Sequence, residues 1–170
     1  MELPVVLPPG WLAWRGRRWR CALGSAGIRA DKREGDGATP AGTWPLRRLL
    51  WRADRLPAPE TALPLARLAP DDGWCDDPAD RNYNRQVRLP FAASAERLWR
   101  DDALYDVIVV LGHNDAPPVP GRGSAIFLHV AQADYAPTRG CVALALTDLL
   151  ALLADCRPDM ALRIAPDTLD

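Results

Sequence analysis

Glycine and proline divide the chain into short segments, and this division limits the fold more than any other feature of the sequence. The 12 glycines and 17 prolines make up 29 of the 170 residues, a proportion that predicts long ordered loops but lies below that of a disordered chain. Between them lie short runs with strand character, of which residues 105–111 (YDVIVVL) and 124–130 (SAIFLHV) are the clearest. Strands and helices do not alternate regularly, which argues against a doubly wound fold. The sequence predicts a mainly β domain with a few short helices.

Local patterns predict the individual elements. Residues 11–24 (WLAWRGRRWRCALG) are typical of a hairpin with basic residues at its turn, and further strands are expected from Thr43 and over residues 142–144 and 160–164. Two short helices are predicted: one over residues 95–99, capped by Ser94, and one over residues 148–155, capped by Thr147. Residues 56–90 are rich first in proline and alanine and then in polar side chains, which predicts a long ordered loop region.

Charge and hydropathy argue against two classes of partner. With 21 basic and 22 acidic residues the net charge is −1, so the chain has no overall field that attracts nucleic acid, and the arginines of the hairpin are interpreted as solvated. The longest apolar runs, residues 107–111 and 149–153, are too short to cross a bilayer. The length and the 48% hydrophobic content fit one domain over residues 1–170.

The cysteines and histidines argue against a metal centre. The four cysteines (Cys21, Cys75, Cys141 and Cys156) contain no CxxC pair, and His113 and His129 are the only histidines. Disulfides stay open, because spacing does not give connectivity and the compartment is unknown. The simplest role for each cysteine is that of a small buried hydrophobic residue.

Cys141 stands in surroundings that suit a nucleophile. A cysteine attacks a carbonyl as the thiolate, which requires a base or a positive environment, and His129 and Arg139 are candidates for these roles. Gly140 permits close approach of the backbone, so the amides of Gly140 and Cys141 are candidate oxyanion donors. Spacing alone leaves a second interpretation open, in which Cys141 is a buried residue at the start of a strand and His129 a hydrogen-bonded strand end.

Two motifs carry a family resemblance. The string HV…PTRGCVAL (residues 129–144) resembles the active-site signature of the L,D-transpeptidase family, or YkuD-like catalytic domain, in which a histidine precedes Ser/Thr-x-Gly-Cys. The upstream string DGATPAGTWPL (residues 36–46) is similar to the strand that carries Thr-Pro-x-Gly in that family. With the GHND and GRGSAIFLHV segments, the resemblance covers about residues 20–165.

The resemblance implies a β-sandwich and a set of roles. Cys141 would be the nucleophile and His129 the general base, with the backbone carbonyl of Val130 orienting the imidazole and the amides of Gly140 and Cys141 holding the oxyanion. The implied substrates are peptidoglycan stem peptides, with transfer of the acyl group to an amine. The implied inhibitors are carbapenems, and no metal or organic cofactor is implied.

The sequence departs from the family pattern in two places. Many members have histidine where this chain has Arg139, and Gly or Ser where it has Val130. Because only the carbonyl of Val130 is used, the second change is mild. Arg139 would lower the pKa of the thiol and bind a substrate carboxylate, or it is a surface residue.

Other polar residues have two interpretations each. His113 either contacts substrate or is a structural residue at a strand end, and Tyr83 either binds a peptide backbone or belongs to an Asn-Tyr-Asn turn. Asp31, Glu34 and Asp36 are interpreted as a solvated loop face.

Alternative functions and the compartment stay open. A cysteine peptidase or amidase would use water in place of the amine, and a peptidoglycan-binding module would not use Cys141 for chemistry. The family resemblance implies the periplasm or cell envelope. However, prolines interrupt the first apolar residues and the arginines follow them, so no signal peptide is predicted.

Overall fold

The computed structural model describes residues 1–167 and contains fourteen strands and one helix in that range. The longest strand has ten residues, and every other strand has two to six. The elements are β1 Val5–Leu7, β2 Trp11–Trp14, β3 Arg17–Ala22, β4 Ile28–Arg29, β5 Thr39–Pro40, β6 Gly42–Trp51, β7 Leu65–Arg67, β8 Asp72–Cys75, β9 Gln86–Arg88, β10 Ala95–Arg97, β11 Val107–Leu111, β12 Phe127–Val130, β13 Val142–Leu144, α1 Leu146–Ala154 and β14 Ala161–Ile164.

Most strands belong to one sheet that closes on itself. Its order is β11-β12-β13-β3-β2-β1-β14-β6-β7, and β11 also pairs with β6, so eight strands form a ring with β7 added at one edge of β6. Closure is possible because β14 pairs with the first half of β6 and β11 with its second half. The architecture confirms the mainly β prediction and the hairpin of β2 and β3.

Alternate residues of the central strands enter two separate apolar cores. On β11, Val107, Val109 and Leu111 join a large core that also contains the buried leucines of α1. Ile108 and Val110 join a second core with Phe127 and Cys141 on the other face. Since successive side chains of a strand point to opposite faces, this alternation assigns Cys141 to the face away from α1.

A small sheet, β10-β8-β9, covers this second face and corrects the prediction of a helix over residues 95–99. Residues 95–97 instead form β10, which pairs antiparallel with β8. A five-residue helix costs more to nucleate than its few hydrogen bonds return, whereas pairing with β8 satisfies the backbone at once. Strands β7, β8 and β9 also lie within residues 56–90, which were expected to be loop.

The single helix of residues 1–167 begins before its predicted position. It starts at Leu146, and its N-cap is Ala145 with no side-chain capping bond, so Thr147 lies inside the first turn and is not the cap. Asp148 in that turn interacts favourably with the helix dipole. No helix among these residues has the length and apolar character needed to span a bilayer.

Candidate active site

Strand register brings Cys141 and His129 to the same face of the sheet. Strands β12 and β13 are parallel, with Leu128 opposite Val142 and His129 opposite Ala143. One step back along both strands, Cys141 lies beside Phe127, whose amide donates to the Cys141 Sγ at 3.4 Å. Phe127 and His129 are two residues apart on β12 and therefore share a face. The histidine and the thiol are both buried, at 6% and 8% exposure, and both line one cavity.

The Thr-Arg-Gly-Cys segment is a tight turn held by Thr138. The Thr138 hydroxyl donates to the carbonyl oxygen of Cys141 at 2.7 Å and accepts from the Gly140 amide at 3.1 Å. Gly140 has φ +142°, and a Cβ there would lie 2.7 Å from the Ala38 oxygen, so only glycine fits. Because the Gly140 amide is bonded to Thr138, its predicted oxyanion role requires that this bond be exchanged for one to the substrate.

Ala125 directs the proton of the thiol. The Cys141 Sγ donates to the Ala125 carbonyl at 3.2 Å. Ala125 has φ +54°, a left-handed conformation that is costly for a residue with a side chain. Its amide donates to Asn84 Oδ1 at 3.0 Å, and Asn84 Nδ2 donates to the carbonyls of His113 and Asn114 at 3.0 and 2.7 Å. Buried Asn84 therefore holds the turn that supplies the acceptor for the thiol.

The surroundings of His129 fix its tautomer. Its Nδ1 lies 2.9 Å from the Val130 carbonyl oxygen, and because a carbonyl only accepts, Nδ1 carries the proton. Nε2 is then the unprotonated nitrogen, as a general base requires. The Tyr105 ring packs edge-on against the imidazole at 5.2 Å and restricts its rotation.

Burial keeps both candidate catalytic groups neutral. It raises the pKa of the Cys141 thiol to about 12, with a further contribution from the Glu96 carboxylate, and the Phe127 amide and Lys32 oppose these effects. Burial also lowers the pKa of His129 to about 4, with a smaller contribution from the charge of Arg100, although hydrogen bonds to the backbone of Val130 and Leu104 oppose it. At neutral pH the pair is therefore a thiol and a neutral imidazole.

The cavity that exposes these two groups is large and lined by charges of both signs. Its volume is about 730 Å³, enough for several residues of a peptide. Three cationic and three acidic side chains line it: Lys32, Arg100, Arg139, Glu34, Asp76 and Glu96. Arg139, predicted to lower the pKa of the thiol, instead lowers that of Glu96, and the cation that acts on the thiol is Lys32.

Tyr83 and His113 lie behind the cavity wall. The Tyr83 hydroxyl donates to Glu34 at 2.6 Å and accepts from the Gly123 amide at 3.0 Å, and burial raises the pKa of this hydroxyl. Ser124 donates to the same Glu34 oxygen at 2.6 Å. His113 packs edge-on against Trp44 at 4.8 Å, and its pKa is lowered to about 4, mainly by burial. The structure thus connects Tyr83 to the cavity through Glu34.

Several residues of the site were not predicted from the sequence. The acidic segment of residues 31–36 was interpreted as solvated, but Glu34 lines the cavity and Asp36 accepts from the buried Lys32 amine at 2.5 Å. Glu96 and Tyr105 face the cavity as a hydrogen-bonded pair. No spacing signal identifies these residues, because they come from three separate segments of the chain.

The cysteines of the described residues are all buried free thiols, so no disulfide competes for Cys141. Residues 1–167 also contain no group of three or more His, Cys, Asp or Glu side chains with the arrangement of a metal site.

A cysteine and a correctly protonated histidine that open into one cavity define the class of candidate thiol-dependent acyl-transfer domains. The family model of the L,D-transpeptidase catalytic domain, YkuD, matches residues 6–164, nearly the whole chain. The chain therefore belongs to the L,D-transpeptidase catalytic-domain family. Searches of curated proteins and of solved structures found no match.

Proposed function

We propose that the protein is an L,D-transpeptidase that acts on peptidoglycan stem peptides through a thioester on Cys141, in cell-wall cross-linking or remodelling. The observation that carries this proposal is the shared face of β12 and β13, from which His129 and Cys141 both open into one cavity. Membership of the family supports the reaction class. We also propose that residues 1–170 act as one catalytic domain, since the first strand pairs with the last.

In the acylation step, His129 Nε2 takes the proton of the Cys141 thiol while the sulfur attacks the carbonyl carbon of the third stem residue. The bond from this carbon to the nitrogen of the terminal D-alanine then breaks, and the leaving amine receives the proton from His129. The products are a thioester and free D-alanine. Because both groups are neutral before reaction, the proton would pass from the thiol to the imidazole as the sulfur attacks, and no thiolate would form beforehand.

In the second step an acceptor amine attacks the thioester carbon. His129 takes a proton from the amine, the carbon–sulfur bond breaks, and the thiolate recovers a proton from the imidazolium. The new amide links two stems. Water in place of the amine would give hydrolysis by the same steps, so the identity of the acceptor decides between transferase and peptidase.

The remaining predicted residues have supporting roles in this proposal. The amides of Gly140 and Cys141 stabilise the oxyanion, and Arg139 binds a substrate carboxylate at the cavity wall. Tyr83 supports the cavity wall through its hydrogen bond to Glu34. His113 lies beside Lys32 and supports the cavity wall behind it.

The first test is intact-mass spectrometry of the protein incubated with a carbapenem. We expect one adduct on wild-type protein, mapped to Cys141, and none on Cys141→Ala. His129→Ala should react far more slowly, whereas Cys156→Ala, a change at a thiol buried in the other core, should react as wild type. A lack of any adduct on folded, reduced wild-type protein would contradict the proposal and favour the binding module.

A second assay then separates the two enzymatic outcomes. A stem tetrapeptide is incubated with an amine acceptor peptide, and the products are separated by mass. A cross-linked product with release of D-alanine supports transfer, whereas only shortened peptide identifies a peptidase.

A further inference from the structure

The small sheet contributes an acidic residue to the cavity that contains the thiol. Glu96 is the cross-strand partner of Trp74 in the β8–β10 pair, and such partners point to the same face of a sheet. The Trp74 ring packs edge-on against Phe127 at 5.1 Å, so this face is directed toward β12. Phe127 is the residue whose amide bonds to the Cys141 sulfur. Glu96 and Cys141 accordingly line the same cavity, Glu96 from the small sheet and Cys141 from the segment before β13.

Tyr105 links this acid to both reacting residues. Its hydroxyl donates to Glu96, and its ring packs against His129 at 5.2 Å and lies in the same apolar core as Cys141. Two arginines lie close enough to interact electrostatically with Glu96. The Arg100 guanidinium lies over the Tyr105 ring at 5.3 Å, and Arg139 comes from the loop before β13. Glu96 is therefore fixed by a hydrogen bond from Tyr105, and its position does not depend on substrate.

We propose that Glu96 is a positioning residue of the proposed reaction, whose negative charge adds to the effect of burial in keeping Cys141 protonated before substrate enters the cavity. A carboxylate opposes the formation of a second anion nearby, and the low dielectric of a buried site strengthens this effect. The inference rests on the proposed function only in taking Cys141 as the nucleophile.

The other charged groups around Glu96 set the strength of this effect. Burial and the charge of Asp76 raise the pKa of Glu96, whereas the hydrogen bond from Tyr105 and the charges of Arg100 and Arg139 lower it. The pKa of the Cys141 thiol is raised mainly by burial and further by the charge of Glu96, and it is lowered by the charge of Lys32. A cationic group of the substrate that pairs with Glu96 would remove this part of the opposing effect, so the thiol would ionise more readily when the cavity is occupied.

The test is the rate of alkylation of Cys141 by iodoacetamide between pH 6 and pH 10.5, followed by peptide mass spectrometry without substrate. Only the thiolate reacts, so the rate follows the ionisation of the sulfur. In Glu96→Gln the alkylation profile should shift to lower pH by one unit or more. At a fixed pH below the midpoint the reaction should then be about tenfold faster. The matched control is Glu34→Gln, which removes the same charge from the same cavity and should leave the alkylation profile unchanged.

Arg139→Gln supplies a second measurement, in which the alkylation rate should change in the opposite direction. Arg139 is exposed, so this variant should fold, and without its cation the charge of Glu96 acts more strongly and alkylation slows. If Arg139 acts through Glu96, its substitution should have a much smaller effect in the double variant with Glu96→Gln. Should Glu96→Gln fail to fold, the Arg139→Gln profile alone decides.

Three outcomes would overturn the inference: a Glu96→Gln profile that matches wild type, equal shifts in Glu96→Gln and Glu34→Gln, or an Arg139→Gln profile that is unchanged or faster. A merely structural role for Glu96 would lower the melting temperature without shifting the alkylation profile. If the transfer assay gives no product but the alkylation profile of Glu96→Gln is shifted, only the proposed function is contradicted, since alkylation requires no substrate.

Discussion

The imidazole of His129 donates from Nδ1 to the carbonyl of Val130, the next residue in the chain, at 2.9 Å. This bond holds the proton on Nδ1 and leaves Nε2 unprotonated. Because it uses the backbone carbonyl, the side chain at position 130 does not determine the tautomer. Val130 itself points into the large core on the other face, which anchors the carbonyl. In the proposed reaction, a backbone carbonyl at a buried strand end would thus orient His129 as the base.

The acidic limit of carbapenem acylation should lie near pH 4. Burial lowers the pKa of His129 to about 4, so the neutral base persists well below the pH at which an ordinary histidine is protonated. We expect the acylation rate to stay constant from pH 7 to pH 5 and to fall only below that. Circular dichroism at each pH checks that the protein remains folded, and a midpoint near 6.5 would contradict the prediction.

Gly140→Ala should destabilise the protein by about 2 kcal/mol or more, because a Cβ would add a collision to an unfavourable backbone conformation. The new atom would lie 2.7 Å from the Ala38 oxygen. Gly121→Ala is the matched control: Gly121 also has positive φ, at +81°, but has nothing within 4 Å of the added Cβ, so only the conformational cost of about 1 kcal/mol applies. Urea unfolding measures both, and equal losses would contradict the steric explanation.

The parts of this structure that were predictable are those with local signals. Of the strand predicted over residues 105–111, residues 107–111 form β11, since both faces of this strand are buried and its sequence is continuously apolar. The motif that contains His129 and Cys141 has a spacing that reflects one loop between two parallel neighbouring strands, and both residues line one cavity, whereas their catalytic roles stay a prediction.

The parts that were missed depend on long-range pairing. Residues 95–97 contain Glu and Ala, which favour a helix, but pairing with β8 overrides this preference and turns Glu96 toward the cavity. Lys32 and Glu34 belong to a segment that is charged and rich in glycine, and only its packing against Gly123 and Tyr83 removes it from solvent. Such contacts leave no periodic pattern in the sequence.

Thr138→Val should loosen the turn before the thiol while keeping the size of the side chain. The hydroxyl both donates to the Cys141 carbonyl and accepts from the Gly140 amide, and loss of these bonds should cost about 1–2 kcal/mol. Acylation by a carbapenem should slow about tenfold, because both candidate oxyanion amides lie in this turn. Thr138→Ser keeps the hydroxyl and should stay near wild type in both measurements. Equal behaviour of the Val and Ser variants would contradict this role.

Asn84→Asp should destabilise the protein and disturb the thiol at the same time. A carboxylate at this position cannot donate to the carbonyls of His113 and Asn114, so two buried acceptors would lose their partner and face a negative charge. The expected cost is about 2–4 kcal/mol in urea unfolding near neutral pH. Part of it should be recovered at acidic pH, where a protonated carboxyl can donate one bond.

The effect on the thiol follows from the backbone of Ala125. Asn84 holds the amide of this residue, whose carbonyl accepts the Cys141 proton, so a displaced turn should change the rate of Cys141 alkylation. Asn82→Asp is the control: this neighbour takes part in the loop through its backbone amide, which donates to Asp80, and its substitution should leave both stability and alkylation close to wild type. A loss of stability in Asn84→Asp with an unchanged alkylation rate would separate Asn84 from the active site and limit it to the fold.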